Sequence, residues 1–258
     1  MNKEHKLGLP IEYQQLPQFF DAHNINEETE AKNALIEKLL KDQGVETILD
    51  MTCGTGSQVL YLAQRGYKIT GSDLSPALVK IAKNKAKEMK LDVKFIEGDM
   101  RNIKVGQFDA VITIFSAIGH ISKSDFEKTL QNIRHNLNPG GIYIFDIFNL
   151  QALTDEVVKD FKMDIQTVVD GVKFRNQQYS DIDRENSLLI SHDKYTIIKA
   201  DGEPEYKTNT FNLQIYTAEE LQALLEKNGF VVLNQYDMEG QPFIPDESIN
   251  ILTVAKVK

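Results

Sequence analysis

From about residue 26 onward, apolar positions along the chain alternate between two periods. Ala31, Ala34, Leu35 and Leu39 recur at helical spacing behind Asn26, a good N-cap. Glu27 and Glu28 stand where the helix dipole favours anions, and Gly44 is a natural stop. Residues 47–50 then read as a strand, 51–56 as a glycine-bearing loop, and the next stretch as a helix to about Arg65, ended by Gly66. A second strand over 67–72 closes on Asp73. Ser75-Pro76 opens a helix with Leu78, Ile81, Ala82, Ala86 and Met89 on one side. Further strands are expected over 93–96, 108–115 and 142–148. Between the last two, the capping-box spacing Ser124 to Glu127 introduces a helix whose stripe is Phe126, Leu130, Ile133 and Leu137. Five such alternations predict an α/β fold, a doubly wound parallel sheet with helices on both faces.

The rhythm changes after Asn149. A short helix near 150–159 precedes β-rich runs over 165–169, 172–179, 188–198 and 206–216, and Asp170-Gly171 and Asp201-Gly202 read as hairpin turns between them. The helical pattern resumes with the capping box Thr217 to Glu220, the inward positions Leu221, Leu224 and Leu225, and Gly229 as its end. Strands over 230–236 and 249–257 follow. The chain therefore divides into a main domain, 1–149 with 217–258, and an antiparallel insertion, 150–216, suited to a lid, a substrate wall or a homodimer surface. Residues 1–25 show no period, yet Tyr13, Phe19 and Phe20 predict that this stretch packs against something.

Composition narrows the function. The 258 residues carry a net charge of -9, and the insertion alone holds eight basic against twelve acidic residues, which disfavours a nucleic-acid partner. The single cysteine, Cys53, makes neither an internal disulfide nor a multi-cysteine zinc site. His5, His23, His135 and His192 have no metal-ligand spacing, so no metal is expected. The lysines from Lys80 to Lys90 read as a solvated helix face. The first residues lead into no apolar leader and no run approaches a membrane span, so a cytoplasmic protein without a membrane partner is expected.

The loop Asp50-Met51-Thr52-Cys53-Gly54-Thr55-Gly56 follows a strand, and Asp73 ends the next one. Glycines let a ligand approach the backbone closely, and a carboxylate at the end of the second strand can accept both hydroxyls of a ribose. Val59 stands where a dinucleotide loop needs its third glycine, and no Gly-Lys-Ser/Thr follows for a phosphate-cradling loop. A ribose-bearing ligand without phosphates fits better, and S-adenosylmethionine is the obvious one.

Residues 49–56 resemble the first motif, L-D-x-A-C-G-T-G, of class I S-adenosylmethionine-dependent methyltransferases, with Thr52 in place of the usual Ala. Residues 71–75, 97–100, 108–111 and 137–141 are similar to the motifs that follow it, in order. The resemblance implies a seven-stranded, mostly parallel, Rossmann-like sheet of order 3-2-1-4-5-7-6. It also implies S-adenosyl-L-methionine as cofactor and S-adenosyl-L-homocysteine as product. By the same resemblance, the backbone of Thr52, Cys53, Gly54 and Gly56 lines the methionine part and Asp50 supports that loop. Asp73 takes the ribose, Leu74 packs on adenine, Asp99 and the backbone of Met100 meet the adenine edge, and Phe115 lies near the transferred methyl.

Residues 115–121, Phe-Ser-Ala-Ile-Gly-His-Ile, resemble a segment of bacterial methyltransferases that N,N-dimethylate amino sugars. Glycine N-methyltransferase-like enzymes share the broad architecture. The expected acceptor is a small molecule with an amine. His120 is the candidate for orienting or deprotonating it, since an imidazole titrates near neutral pH. Tyr13, Ser116, Phe148, Asn149 and Tyr216 are candidate substrate-lining residues. A small-molecule O-methyltransferase, a non-catalytic S-adenosylmethionine-binding protein and, behind these, an RNA methyltransferase stay open.

Overall fold

The computed structural model describes residues 7–199 and 202–258. The first six residues, with His5 and the reading of a missing leader, lie outside them, as does Asp201 of the second expected hairpin turn.

Short 3-10 turns at Ile11–Tyr13 and Pro17–Phe19 lead into α1 (Phe20–Asn24) and α2 (Glu27–Asp42). The main alternation is β1 (Thr47–Asp50), α3 (Ser57–Ala63), β2 (Lys68–Asp73), α4 (Pro76–Glu88), β3 (Lys94–Glu97), β4 (Phe108–Thr113), α5 (Lys123–His135) and β5 (Leu137–Phe148). Helix α6 (Asp155–Asp160) precedes a meander of β6 (Lys162–Val169), β7 (Val172–Asp183), β8 (Leu188–Ile198) and β9 (Glu205–Gln214). Helix α7 (Ala218–Lys227), β10 (Phe230–Tyr236) and β11 (Asn250–Val257) close the chain.

Seven strands form one sheet in the order β10-β11-β5-β4-β1-β2-β3. The first five strands pair in parallel, and β11 runs antiparallel to both β5 and β10. The α/β fold and strand order implied by the resemblance are thus observed. Alternate residues of the central strands feed two cores: Ile48, Ile112 and Ile144 face α2, α3 and α4, while Leu49, Val111, Tyr143 and Phe145 face α5 and α7. The other four strands form a separate antiparallel sheet, β6-β7-β8-β9. Its first turn is as read: Asp170 and Gly171 both take positive φ, 51° and 76°, the geometry of a two-residue hairpin that follows the strand twist. The N-terminal segment packs on this sheet, with Phe19 stacked on Phe174 at 4.2 Å beside Ile11, Tyr195 and Ile197.

Three local expectations are corrected. On α2 the buried positions are Thr29, Asn33, Ile36, Leu39 and Leu40, while Ala31 and Ala34 face solvent; the helix is turned toward its larger side chains. Met89 is exposed because α4 ends at Glu88. Helix α5 is capped by Ser122 and not Ser124: the Ser122 hydroxyl accepts from the Asp125 N–H, and Ile121 just before it shares a core with Phe126, a hydrophobic staple that sets the entry two residues earlier. No helix among the described residues is long and apolar enough to cross a membrane.

Candidate active site

The loop after β1 is held by two carboxylates. Asp50 Oδ1 accepts from the Thr52 N–H at 3.0 Å. Asp73, at the end of β2, accepts from the Gly54 N–H through Oδ2 and from the Ser75 N–H through Oδ1, both at 2.8 Å. Gly54 and Gly56 take φ of 52° and 89°, where a side chain strains the backbone. A Cβ on Gly54 would also meet the Phe20 ring at 2.9 Å. Burial pushes Asp50 up to about 7, against the pull of the Thr52 N–H, and raises Asp73 as well. Burial also drives the Cys53 thiol well up, which argues for packing and against a thiolate nucleophile.

Two anchors here had no role assigned from the sequence. Asp21 on α1 accepts from the Thr55 hydroxyl and pairs with Lys85 of α4, so the N-terminal segment is tied to the glycine loop. Arg101 grips the Asp99 carboxylate with its guanidinium and also reaches Asp125. Spacing gives no hint of the long-range contacts between Asp21 and its partners. The Asp99-to-Arg101 pair, only two residues apart, was open to inspection.

Asp50, Thr52, Cys53, Gly54, Asp73, Leu74, Asp99, Met100 and Phe115 all line one cavity at the carboxyl ends of the strands, with about 1090 Å³ of empty space, mouth included. Gly56 sits just behind them, against Ala82 and Phe95. Three carboxylates face this cavity and, among the described residues, no lysine or arginine does. The Thr52 hydroxyl is buried in its wall without a hydrogen-bond partner. Such a lining suits a nucleoside that carries positive charge and no phosphate, so the residues fit S-adenosylmethionine.

The segment after β4 makes the opposite wall. Phe115 and Ser116 are consecutive non-glycine residues at φ 63° and 55°, a costly arrangement for which the surroundings must compensate. The compensation comes from Asp146 on β5, whose Oδ2 accepts from the Ser116 N–H at 3.0 Å and its hydroxyl at 3.2 Å. The turn leads into a 3-10 turn, Ala117–His120. His120 is buried, its Nε2 3.4 Å from the Tyr13 hydroxyl, with the Tyr13 and Phe211 rings on either side at 5.3 and 5.9 Å.

Tyr13, Asn24, Phe115 and His120 also line a second cavity, together with Ser116, Phe148 and residues of β6, β7, β8 and β9. The two cavities therefore meet at one wall. The second holds the carboxylates Glu28, Asp146 and Glu239 and the ammoniums Lys32 and Lys162, with no arginine among the described residues.

Two expected lining residues are elsewhere. Asn149 is fully buried, its amide donating to the Pro245 and Ser248 carbonyls at 2.7 and 2.8 Å while its oxygen accepts from the Gln151 N–H. Tyr216 is fully buried in the main core, edge-on to Phe126. Neither lines either cavity: at the junction with the insertion the chain turns these side chains inward to close the sheet. The residue missed on this side is Asp146. Its signal was a lone acid inside the apolar run 142–148, since a carboxylate is seldom buried without partners.

The chain matches known proteins along this same architecture. Residues 48–141 match the family model described as methyltransferase domain. The chain is 28% identical over 198 residues to "Putative methyltransferase YqeM" of Bacillus subtilis, covering 76% of each chain. Several further curated relatives are matched over about half their length. A solved S-adenosylmethionine-dependent methyltransferase from Clostridium acetobutylicum superposes with a TM-score of 0.75 at 18% identity, over 94% of this chain and 98% of that one. The sugar N-methyltransferase KedS8 of Streptoalloteichus sp. superposes at 0.76 and 18% identity, over 94% and 92%. Residues 48–141 are thus a methyltransferase domain, and the motifs, the sheet order and the cavity agree with S-adenosylmethionine as its cofactor.

Proposed function

We propose that the enzyme transfers a methyl group to the nitrogen of a small-molecule amine. The observation that carries this reading is the second cavity. It meets the cofactor cavity at Tyr13, Phe115 and His120, and it holds three carboxylates against two lysines and, among the described residues, no arginine, a lining that offers acceptors to a hydrogen-rich nitrogen and no guanidinium to an acid. The likeness of the fold to a sugar N-methyltransferase is compatible with it.

Bound S-adenosylmethionine supplies an electrophilic methyl on a sulfonium. The chain's own residues do the rest. Asp73 has lone pairs beyond those engaged by Gly54 and Ser75 and takes the ribose hydroxyls. The backbone of Thr52 to Gly56 would hold the methionine part, Leu74 would pack on adenine, and Asp99, fixed by Arg101, would take the exocyclic amino group with Met100 beside it. Phe115 and His120, in the wall common to both cavities, would flank the transferred methyl. His120, bonded to Tyr13, orients the acceptor and accepts its proton. The inserted sheet, with Phe148 and Phe211, acts as the substrate wall that excludes water.

Incubating the enzyme with methyl-labelled S-adenosylmethionine and a panel of primary and secondary amines tests the proposal. Labelled N-methyl products are expected. Label recovered on oxygen, with every amine inert, would sink it.

A further inference from the structure

Asp146 lies in the middle of β5, 2% exposed, between the fully buried Phe145 and Ile147. It is also part of the wall of the acceptor cavity. Its two oxygens are used unequally. Oδ2 carries the bonds from the Ser116 N–H and hydroxyl that hold the left-handed turn, and the Phe115 N–H also acts on the carboxylate. Oδ1 is buried and has no hydrogen-bond partner. A carboxylate offers about four acceptor positions, and leaving one oxygen bare inside a protein is costly. The cations on the cavity wall do not relieve it by contact: Lys32, whose charge acts on Asp146, is itself paired with Glu28 at 3.1 Å. Asp146 is therefore a wall residue of the cavity, beside His120 and Phe115, with one buried oxygen that still lacks a donor.

We propose that Asp146 Oδ1 anchors the acceptor, receiving an N–H from its nitrogen, while Oδ2 holds the Phe115–Ser116 turn that separates the two cavities. One side chain then fixes both the position of the nucleophile and the wall it faces. This inference rests on the amine reading above and names the group within the cavity that recognises the nitrogen. It also makes a sharp distinction: an alcohol of the same shape brings one donor and no positive charge, so the anchor selects for nitrogen.

The test uses the full chain saturated with S-adenosylhomocysteine, titrated calorimetrically with two matched pairs, cyclohexylamine against cyclohexanol and benzylamine against benzyl alcohol. The wild-type protein is expected to bind each amine at least tenfold more tightly than its alcohol. Asp146→Asn keeps an oxygen for the Ser116 N–H but turns a donor toward the acceptor, so the preference should fall to within about twofold while S-adenosylhomocysteine affinity stays unchanged. Ser116→Ala weakens the turn and leaves the carboxylate, so the preference should persist. Should Asp146→Asn fail to fold, Asp146→Ser, which still offers Ser116 an acceptor, carries the same measurement. The anchor is overturned if the variant keeps the preference, if amine and alcohol weaken equally (a purely structural role), or if the wild-type protein shows no preference. Failure of the anchor alone is recognisable: labelled N-methyl products would still form, at an amine KM the substitution leaves unchanged. If label goes only to oxygen, the amine reading itself has failed.

Discussion

Most of the cofactor cavity is walled by short segments that each follow a strand of the central sheet, residues 50–58, 73–78, 98–100 and 114–121, with residues 9–25 laid across them. The acceptor cavity takes its wall from Pro10, from α2, from the turn after β4, from β5, from the inserted sheet and from the stretch between β10 and β11, a span reaching Asn250. The first is a product of local geometry, since parallel strands deliver their carboxyl ends to one edge. The second is a product of tertiary packing and exists only once distant segments have met. Both use the same device, a carboxylate that accepts backbone N–H groups: half-buried Asp73 at the glycine loop, fully buried Asp146 at the Phe115–Ser116 turn. The difference is that Asp73 has both oxygens engaged and Asp146 has one.

The largest expected effect breaks the cofactor half alone. Asp73→Ala removes the acceptor for the Gly54 and Ser75 N–H groups and for a ribose together. S-adenosylhomocysteine affinity should fall at least 100-fold, about 2.8 kcal/mol at 1.4 kcal/mol per tenfold. Asp73→Asn, which retains one acceptor oxygen, should lose less. Calorimetry that finds Asp73→Ala binding within threefold of wild type would show that this carboxylate serves the loop and not the ligand.

This contrast explains how much of the molecule was legible in advance. The strand–helix alternation, the order of the motifs and the loop with its acid are short-range features, and they foretold the seven-stranded sheet and the residues around the first cavity. The helix faces were harder. Ala31 and Ala34 fit the helical period as well as Ile36 and Leu40 do, and only the competition for burial area between large and small side chains decides which face turns inward. Asn149 and Tyr216 were placed correctly along the chain, at the junction with the insertion, but side-chain direction there depends on the Pro245–Ser248 stretch almost 100 residues away. Asp146 shows the remaining gap: its residue type was visible, and its partners, 30 residues earlier, were not.

The next effect sharpens the acceptor half through its packing. The N-terminal segment that brings Tyr13 to His120 buries Glu12 against the inserted sheet, where Tyr195 donates to its carboxylate at 3.2 Å and Asp193 adds like charge. Burial pushes Glu12 up to about 7 from the ordinary 4.5. The folded state then binds more protons than the unfolded one between those values, so this group's contribution is fully present below about pH 4.5 and is lost as pH rises through 7. Glu12→Gln, which keeps an acceptor for Tyr195, should leave stability near pH 4 little changed and raise it by roughly 2–3 kcal/mol at pH 8. Denaturant unfolding at the two pH values measures this. A pH-independent difference would mean that the buried acid is paired well enough to ionise at no cost.

The smallest effect asks whether the shared wall stores strain for a purpose. Phe115 holds φ at 63° and is 40% exposed as a residue, so only part of its apolar surface repays the left-handed backbone. Phe115→Gly removes the steric cost, about 1 kcal/mol, and forfeits only a partly exposed ring. Added chain entropy in the unfolded state offsets some of that gain, so the melting temperature should hold or rise by a few degrees. Methyl transfer should nonetheless fall about tenfold in kcat/KM, because the ring is one of the side chains common to both cavities and its loss widens the passage between methyl and acceptor. A variant that is both more stable and slower would mean that the turn is kept for the position it gives the ring. If stability drops by several degrees instead, the Phe115 ring is a packing element of the wall, and the strain is the incidental cost of threading β4 into the Ala117–His120 turn.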